Sequence, residues 1–260
     1  MSWYDRDVSV VPERIQIEYY GSVGSTNLVA RERLAFGADA WTVIFAEQQK
    51  SGRGQGEKSW VSPSGNMYAS IILRPGTELT ALSQLSFVAA LAVADVVESS
   101  VLGTEVDVRL KWPNDVLLNR HKVSGILLES HSVTENLVVR YAVVVGVGIN
   151  VSSNPANTRY GATCINRFAK PSKSVHEVLS GFLKAMVSWY DIWEVAGFDV
   201  VRTAWQDRSY GLGQRVRISQ GNEPPVGGIF VGLDDDGRML VRQTDDRMKT
   251  ISSGSVDFSE

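Results

Sequence analysis

Between residues 107 and 150 four runs dense in aliphatic residues follow one another almost without interruption: DVRLKW (107–112), DVLLN (115–119), KVSGILLES (122–130) and LVVRYAVVVGVGIN (137–150). Connections this short have no room for a crossover helix, so sequential strands pair with each other and run antiparallel. A doubly wound parallel sheet, with a helix after every strand, is thereby disfavoured. Two further strand candidates, WTVIFAE (41–47) and MYASIIL (67–73), lie upstream. Helical patterns stand apart from the strands: GSTNLVARERLAFG with Ser25 or Thr26 as N-cap and Gly37 as its stop, an apolar stretch at 83–100, a long amphipathic one at 174–198, and a shorter one through VVRTAWQD. Elements clustered in this way predict an α+β fold on a mixed sheet, preceded by a loose start.

The texture changes at GLGQRVRI. Short strands expected at 214–219, 226–233, 238–243 and 247–251, divided by turns such as DDDGR, predict a small separate β-barrel with a boundary near Tyr210. No period of 20–50 residues repeats, which argues against a solenoid or propeller. With 26 basic and 29 acidic residues, a net charge of −3, the chain has no bulk attraction for nucleic acid or an anionic membrane, so any basic function is local. The single cysteine, Cys164, provides neither a disulfide framework nor a thiolate metal cage, and a reducing cytoplasmic setting is expected. The start MSWYDRDVSV lacks the apolar core of a signal peptide. No run approaches the roughly 18 consecutive apolar residues of a membrane helix.

Three stretches carry candidate chemistry. SGRGQGEKSW (51–60) hangs between two strand candidates and alternates Gly52, Gly54 and Gly56 with Arg53 and Lys58 before Trp60. It lacks the Gly-Lys-Ser/Thr ending of a P-loop and the spacing of a dinucleotide fingerprint. Its glycines still let backbone N–H groups approach an anion while Arg53 supplies a fork of donors; a solvated surface loop is the equal alternative. In VVVGVGIN no helix opens after Gly146 and Gly148. The pair is either packing or a place where a ligand nears the backbone, with Asn150 beside a purine edge. In KWPNDVLLNRHKVSGILLE (111–129), Lys111, Asn114 and Asp115 crowd a bend around Trp112-Pro113, and a hairpin would return Lys122 to Asp115. Such a pair is a structural ion pair or a site. The three histidines lack metal-ligand spacing, and no nucleophile elbow is visible.

In this order and at these spacings GSTN, AEQQKSGRGQGEKSW, SPSGNMYASIIL, KWPNDVLLNRHKVSGILLE and VVVGVGIN resemble the biotin protein ligases, the biotin–[acetyl-CoA-carboxylase] ligase family. The likeness runs from about Gly21 through nearly the whole chain. It implies a catalytic domain (21–210) related to that of lipoate ligases, after an N-terminal extension (1–20), and an SH3-like C-terminal domain (211–260). It also implies two half-reactions: ATP with Mg2+ activates biotin as biotinyl-5′-AMP, and a lysine of a biotin carboxyl carrier domain then accepts the biotinyl group. The glycine loop would close as a lid on a water-sensitive mixed anhydride.

Carried over by position, Ser25, Thr26, Asn27 and Gln49 resemble the residues framing the biotin ring. Gly52 and Arg53 resemble those beside biotin and the adenylate phosphate, and Gly125, Leu127 and Gly146 those lining the biotin pocket. Lys122 matches the lysine at the carboxylate and phosphate. Trp60 and Asn150 match the adenine contacts, and Lys58, Lys111, Asn114 and Gln55 fall in the ATP-binding set. Asp115 would position the acceptor lysine or the metal. The loop departs from the family's Gly-Arg-Gly-Arg-x-Gly-Arg pattern at Gln55, Gly56 and Glu57, which bears on retention of the adenylate. The stretch before GSTN is too short for a winged helix-turn-helix, so a monofunctional ligase without nucleic-acid or membrane partners is expected, either monomer or homodimer. The competing readings are a lipoate or octanoyl ligase, a biotin-sensing transcriptional regulator, and a non-catalytic binding module.

Overall fold

The computed structural model describes residues 11–56, 58–135, 138–156, 161–221 and 223–258. Strands β1 (Gln16–Val23), β2 (Thr42–Gln49), β3 (Met67–Leu73), β4 (Val108–Lys111), β5 (Asp115–Leu118), β6 (His121–Glu135) and β7 (Val138–Ile149) form one sheet in the order β1-β2-β3-β7-β6-β5-β4. The run β4 to β7 is antiparallel throughout, as its short turns require. The sheet is mixed because β1 pairs parallel with β2 across helix α1 (Thr26–Ala35).

β1 corrects the expectation of a loose start. Its residues QIEYYGSV are only partly buried, so no clean alternation of apolar and polar positions announces a strand. Its order comes from pairing with β2, in register from Gln16 against Thr42 to Val23 against Gln49.

Strand residues divide by parity between two apolar layers. Val43 and Phe45 of β2, Ile71 and Leu73 of β3, and Val143, Val145 and Val147 of β7 join one core with helices α2 (Leu85–Ser100), α3 (Val175–Ala196) and α4 (Phe198–Asp207). Ile44, Ile72, Ala142 and Val144 face the other way, against Ala30 and Leu34 of α1. Coverage on both faces explains why β3 is buried along its whole length and reads as an unbroken apolar run. Helix α3 begins at a reciprocal cap: Glu177 N donates to Ser174 Oγ at 3.2 Å, and Ser174 N donates to Glu177 Oε2 at 2.8 Å.

The apolar stretch is the helix its sequence suggests: Leu79–Ser100 is long and apolar enough to cross a membrane by length and composition alone, and here it is a core helix, most of its residues buried. The run of Ala89, Ala90, Ala92 and Ala94 gives α2 a thin surface that packs against α3 and the sheet.

Strands β8 (Arg215–Ser219), β9 (Val226–Leu233), β10 (Met239–Arg242), β11 (Met248–Ile251) and β12 (Ser255–Phe258) form a five-stranded antiparallel sheet in the order β11-β10-β9-β8-β12. Four of them match the expected spans closely. β12 was not foreseen, because four residues carry too little pattern. This sheet joins the same apolar core as the first, with Phe230, Leu233 and Met239 among its members, and polar contacts add to the docking: Trp112 Nε1 donates to Gly237 O at 3.1 Å, Leu233 N to Gln206 Oε1 at 2.8 Å, and Gln84 Nε2 to Asp235 O at 3.2 Å.

Candidate active site

The α1 face of the sheet is covered only in part. On β7, Ala142 and Val144 lie under α1, but the next two positions of the same parity are Gly146 and Gly148. Across the sheet Gly146 is in register with Ser70 on one side and Leu127 on the other, and Gly148 with Gly125. Removing side chains from adjacent rows leaves a trough, and other residues fill its walls. A Cβ on Gly146 would fall 2.0 Å from Asn27 Oδ1, and one on Gly148 would fall 2.5 Å from Trp60 Nε1. Glycine is therefore required at both positions for close approach, not for backbone freedom.

The trough forms the floor of a cavity of about 530 Å3. Its inner wall is the start of α1. Ser25 has the extended backbone of an N-cap, yet its side chain makes no capping hydrogen bond, and its hydroxyl stays available to the cavity. Thr26 N and Oγ1 both donate to Gln49 Oε1, at 2.8 and 3.1 Å. Ser70 Oγ lies 2.7 Å from Thr26 Oγ1 and donates to Asn27 Oδ1 at 2.6 Å. Ser70, Thr26 and Asn27 are all buried, so this is a polar network in an apolar layer, with its groups paired among themselves.

The outer wall is the glycine loop. It extends the β2–β3 hairpin irregularly, through Gln49 N to Ser62 O (3.1 Å), Trp60 N to Gly52 O (2.9 Å) and Gly54 N to Lys58 O (2.7 Å). Arg53, Gln55, Lys58 and Trp60 line the cavity, while Glu57 lies outside the described residues. Gly52 does not line it. It is buried at the base of the loop, where a Cβ would fall 2.3 Å from Trp60 O and 2.5 Å from Ser62 Oγ. The loop's return is anchored by Tyr68, whose hydroxyl donates to Pro63 O at 2.8 Å. Burial pushes this phenol up to about 12, against an opposing hydrogen bond involving Asn66, so it remains a neutral donor.

The third wall comes from the β4–β5 bend and the start of β6. The hairpin pairs Lys111 with Asp115 and Asp115 with Gly125, and it brings Lys122 Nζ to 2.5 Å from Asp115 Oδ1. Both side chains are partly exposed, so the pair can be reached from the cavity. Lys122 Nζ also stands 5.3 Å from the centre of the Trp60 ring. Trp60 bridges the two glycine strands; its Nε1 is buried and has no hydrogen-bond partner among the described residues. Asn114 donates to Ile126 O at 2.6 Å, and Asn150 donates to Thr163 O at 3.0 Å.

All seventeen residues assigned site roles from the sequence gather at this one place, and sixteen of them line the cavity, Gly52 being the exception. Others were missed. Gly148, noted with Gly146 as a possible ligand approach but not placed in the site, carries the same close approach as Gly146. Ser70 is a lone hydroxyl in an apolar strand. Glu129 lies two and four residues beyond Leu127 and Gly125 on β6, and its carboxylate meets both Asn27 Nδ2, at 2.7 Å, and Arg53 Nη1, at 3.0 Å. Gly254, Ser255 and Val256 of the second sheet complete the rim, with Lys58 Nζ 3.3 Å from Ser255 Oγ; nothing in their local sequence announces this.

A trough with a buried polar wall, a basic glycine loop and a lysine–carboxylate pair defines a protein of the biotin and lipoate ligase class. Residues 21–150 match the Biotin/lipoate A/B protein ligase family, and residues 211–259 match the Biotin protein ligase C terminal domain. The chain belongs to the biotin protein ligase family. It is 36% identical over 228 residues to a biotin–[acetyl-CoA-carboxylase] ligase of Paracoccus denitrificans, covering 84% of this chain and 90% of that one. It is 31% identical to the corresponding ligase of Mycobacterium tuberculosis, over 93% of this chain and 88% of that one. A solved biotin protein ligase from Aquifex aeolicus, in complex with biotin and ATP, superposes with a TM-score of 0.77 at 27% identity, over 94% and 98% of the two chains.

Proposed function

We propose that this protein condenses biotin with ATP to biotinyl-5′-AMP and pyrophosphate, then transfers the biotinyl group to a lysine of the biotin carboxyl carrier domain of a carboxylase. The observation that carries the reading is the single trough in which a buried polar wall, a cation and a ring-covered glycine floor meet in sequence. Biotin lies at the inner end, its ring facing Ser25, Thr26, Asn27 and Gln49 over Gly125, Leu127 and Gly146. ATP lies outside it, with the adenine against Trp60 and Asn150 and the phosphates near Arg53, Lys58, Lys111 and Asn114. Gly52 serves indirectly, by keeping the loop base closed.

In the first step a biotin carboxylate oxygen attacks the α-phosphorus and the bond to pyrophosphate breaks. Negative charge gathers on the phosphoryl oxygens, and the Lys122 ammonium, oriented by Asp115, is the fixed cation beside them. In the second step the amine of the acceptor lysine attacks the biotinyl carbonyl and AMP leaves with the electron pair. Mg2+ accompanies the ATP phosphates in this reading. Among the described residues no group of three or more histidine, cysteine, aspartate or glutamate side chains comes together; Mg2+ on a nucleotide is usually held by one or two carboxylates and the phosphates, and Asp115 on the cavity wall is the carboxylate placed to position it or the acceptor lysine.

We assign residues 21–210 to catalysis and 211–260 to a smaller barrel-like domain that bears on ATP or acceptor engagement. The buried free thiol of Cys164 is in keeping with a cytoplasmic setting. Incubation with biotin and ATP, followed by mass analysis, tests the function: biotinyl-adenylate is the expected product, and lipoyl- or octanoyl-adenylate from the matching acids in its place overturns the choice of substrate. A gel shift that retains DNA would overturn the reading that nucleic acid is not a partner.

A further inference from the structure

Glu129 stands behind the cavity and does not line it, yet it joins two walls that the chain supplies about 25 residues apart. Its Oε2 accepts from Asn27 Nδ2 at 2.7 Å, and Asn27 in turn accepts from Ser70. Its Oε1 meets Arg53 Nη1 at 3.0 Å. One carboxylate thus closes a continuous polar chain from the inner wall to the glycine loop. Because a single Nη nitrogen of Arg53 is engaged from behind, the remaining donors of the fork are left for an anion in the cavity. The side chains of Arg53 and Glu129 are 40% and 25% exposed, so solvent screens the attraction and the pair matters chiefly for geometry.

We propose that Glu129 is a positioning residue for adenylation, holding Asn27 and Arg53 in one frame so that the biotin ring and its carboxylate are met together. This rests on the assignment of Arg53 as an anion contact in the proposed function. The idea makes a prediction of sign. If Glu129 acted only through its charge, removing that charge would leave Arg53 more attractive to a carboxylate and would tighten biotin binding. If it positions, removal loosens binding.

The test uses the full chain and four variants: Glu129→Gln, Glu129→Asp, Arg53→Ala and the Glu129→Gln/Arg53→Ala double. Biotin-dependent ATP–pyrophosphate exchange gives kcat and KM, and calorimetry gives biotin affinity without ATP. Glu129→Gln is expected to raise the KM for biotin about tenfold, since a hydrogen bond and an ion pair to one carboxylate are both weakened, with kcat changed less than about threefold. Glu129→Asp, too short to reach both partners at once, is expected to fall between the two. The double variant is expected to lose less than the product of the single losses, because one effect passes through the other. Unchanged or tighter biotin binding in Glu129→Gln, or strictly multiplicative losses, overturns the proposal. If Glu129→Gln does not fold, the same criteria apply to Glu129→Asp alone and combined with Arg53→Ala. An Arg53→Ala variant with wild-type exchange and biotin affinity would instead remove Arg53 from the reaction, a failure visible without any change at Glu129.

Discussion

Gly146 and Gly148 lie two residues apart on one face of β7, about 6.7 Å from each other at the rise of a strand, and each is filled by a different neighbour. A methyl group on Gly148 would sit 2.5 Å from Trp60 Nε1 and 2.7 Å from Cε2. Ordinary carbon contacts begin near 3.5 Å, so the indole must lift by about 1 Å. A methyl on Gly146 would sit 2.0 Å from Asn27 Oδ1 and 2.8 Å from Cγ, and Asn27 must leave its bonds to Ser70 and Glu129. Overpacking of this kind costs about 1–3 kcal/mol, or roughly 5- to 150-fold in an equilibrium constant. Gly148→Ala is therefore expected to raise the KM for ATP at least about fivefold while biotin affinity without ATP stays within about twofold. Gly146→Ala is expected to do the reverse. Calorimetry with biotin alone and pyrophosphate exchange at varied ATP, on variants whose melting temperatures show that they fold, separate the two. If both variants weaken the same ligand, or if each weakens the ligand assigned to the other, the division of the trough into a biotin end and an adenine end is wrong.

Lys122→Ala is expected to abolish adenylate formation in a folded protein, because the cation beside the phosphoryl group is worth several kcal/mol in comparable sites; near-wild-type pyrophosphate exchange would take Lys122 out of the mechanism. Gln55→Arg is expected to slow the escape of pre-formed biotinyl-AMP by roughly tenfold, since a charged fork replaces a neutral amide on the cavity wall. Equal escape rates, timed without acceptor, would mean that Lys58 or the loop amides already hold the intermediate. The third concerns pH. Hydrogen bonds from the Ser174 backbone and hydroxyl, and the nearby Lys173, hold Glu177 below its ordinary 4.5 against a small burial effect. Its contribution to stability is complete above about pH 4.5 and is lost as the pH falls through the lowered value. Wild type should lose more melting temperature than Glu177→Gln between roughly pH 6 and pH 3.5, and parallel losses would show that the cap charge contributes nothing.

Much of this architecture was legible in the chain itself. Connections of two to a few residues allow only antiparallel neighbours, so the β4–β7 meander followed from spacing, and the meeting of Lys122 with Asp115 followed from the hairpin between them. The change of texture near Tyr210 marked the second sheet, and the ordered motifs pointed to the family. Partner-dependent features were not legible. β1 is an edge strand ordered by β2, and β12 is four residues ordered by β8, so neither carries enough pattern of its own. Gly52 and Gly146 look alike in sequence, but the first is filled by the loop's own backbone and the second by Asn27 from another element. Local sequence dictates secondary structure and turn lengths because those interactions reach only a few residues. Which side chain occupies the space above a glycine, which carboxylate stands behind Arg53, and which strand of a second sheet closes the rim are set by contacts between residues roughly 75 to 200 positions apart, and only the folded chain brings these together.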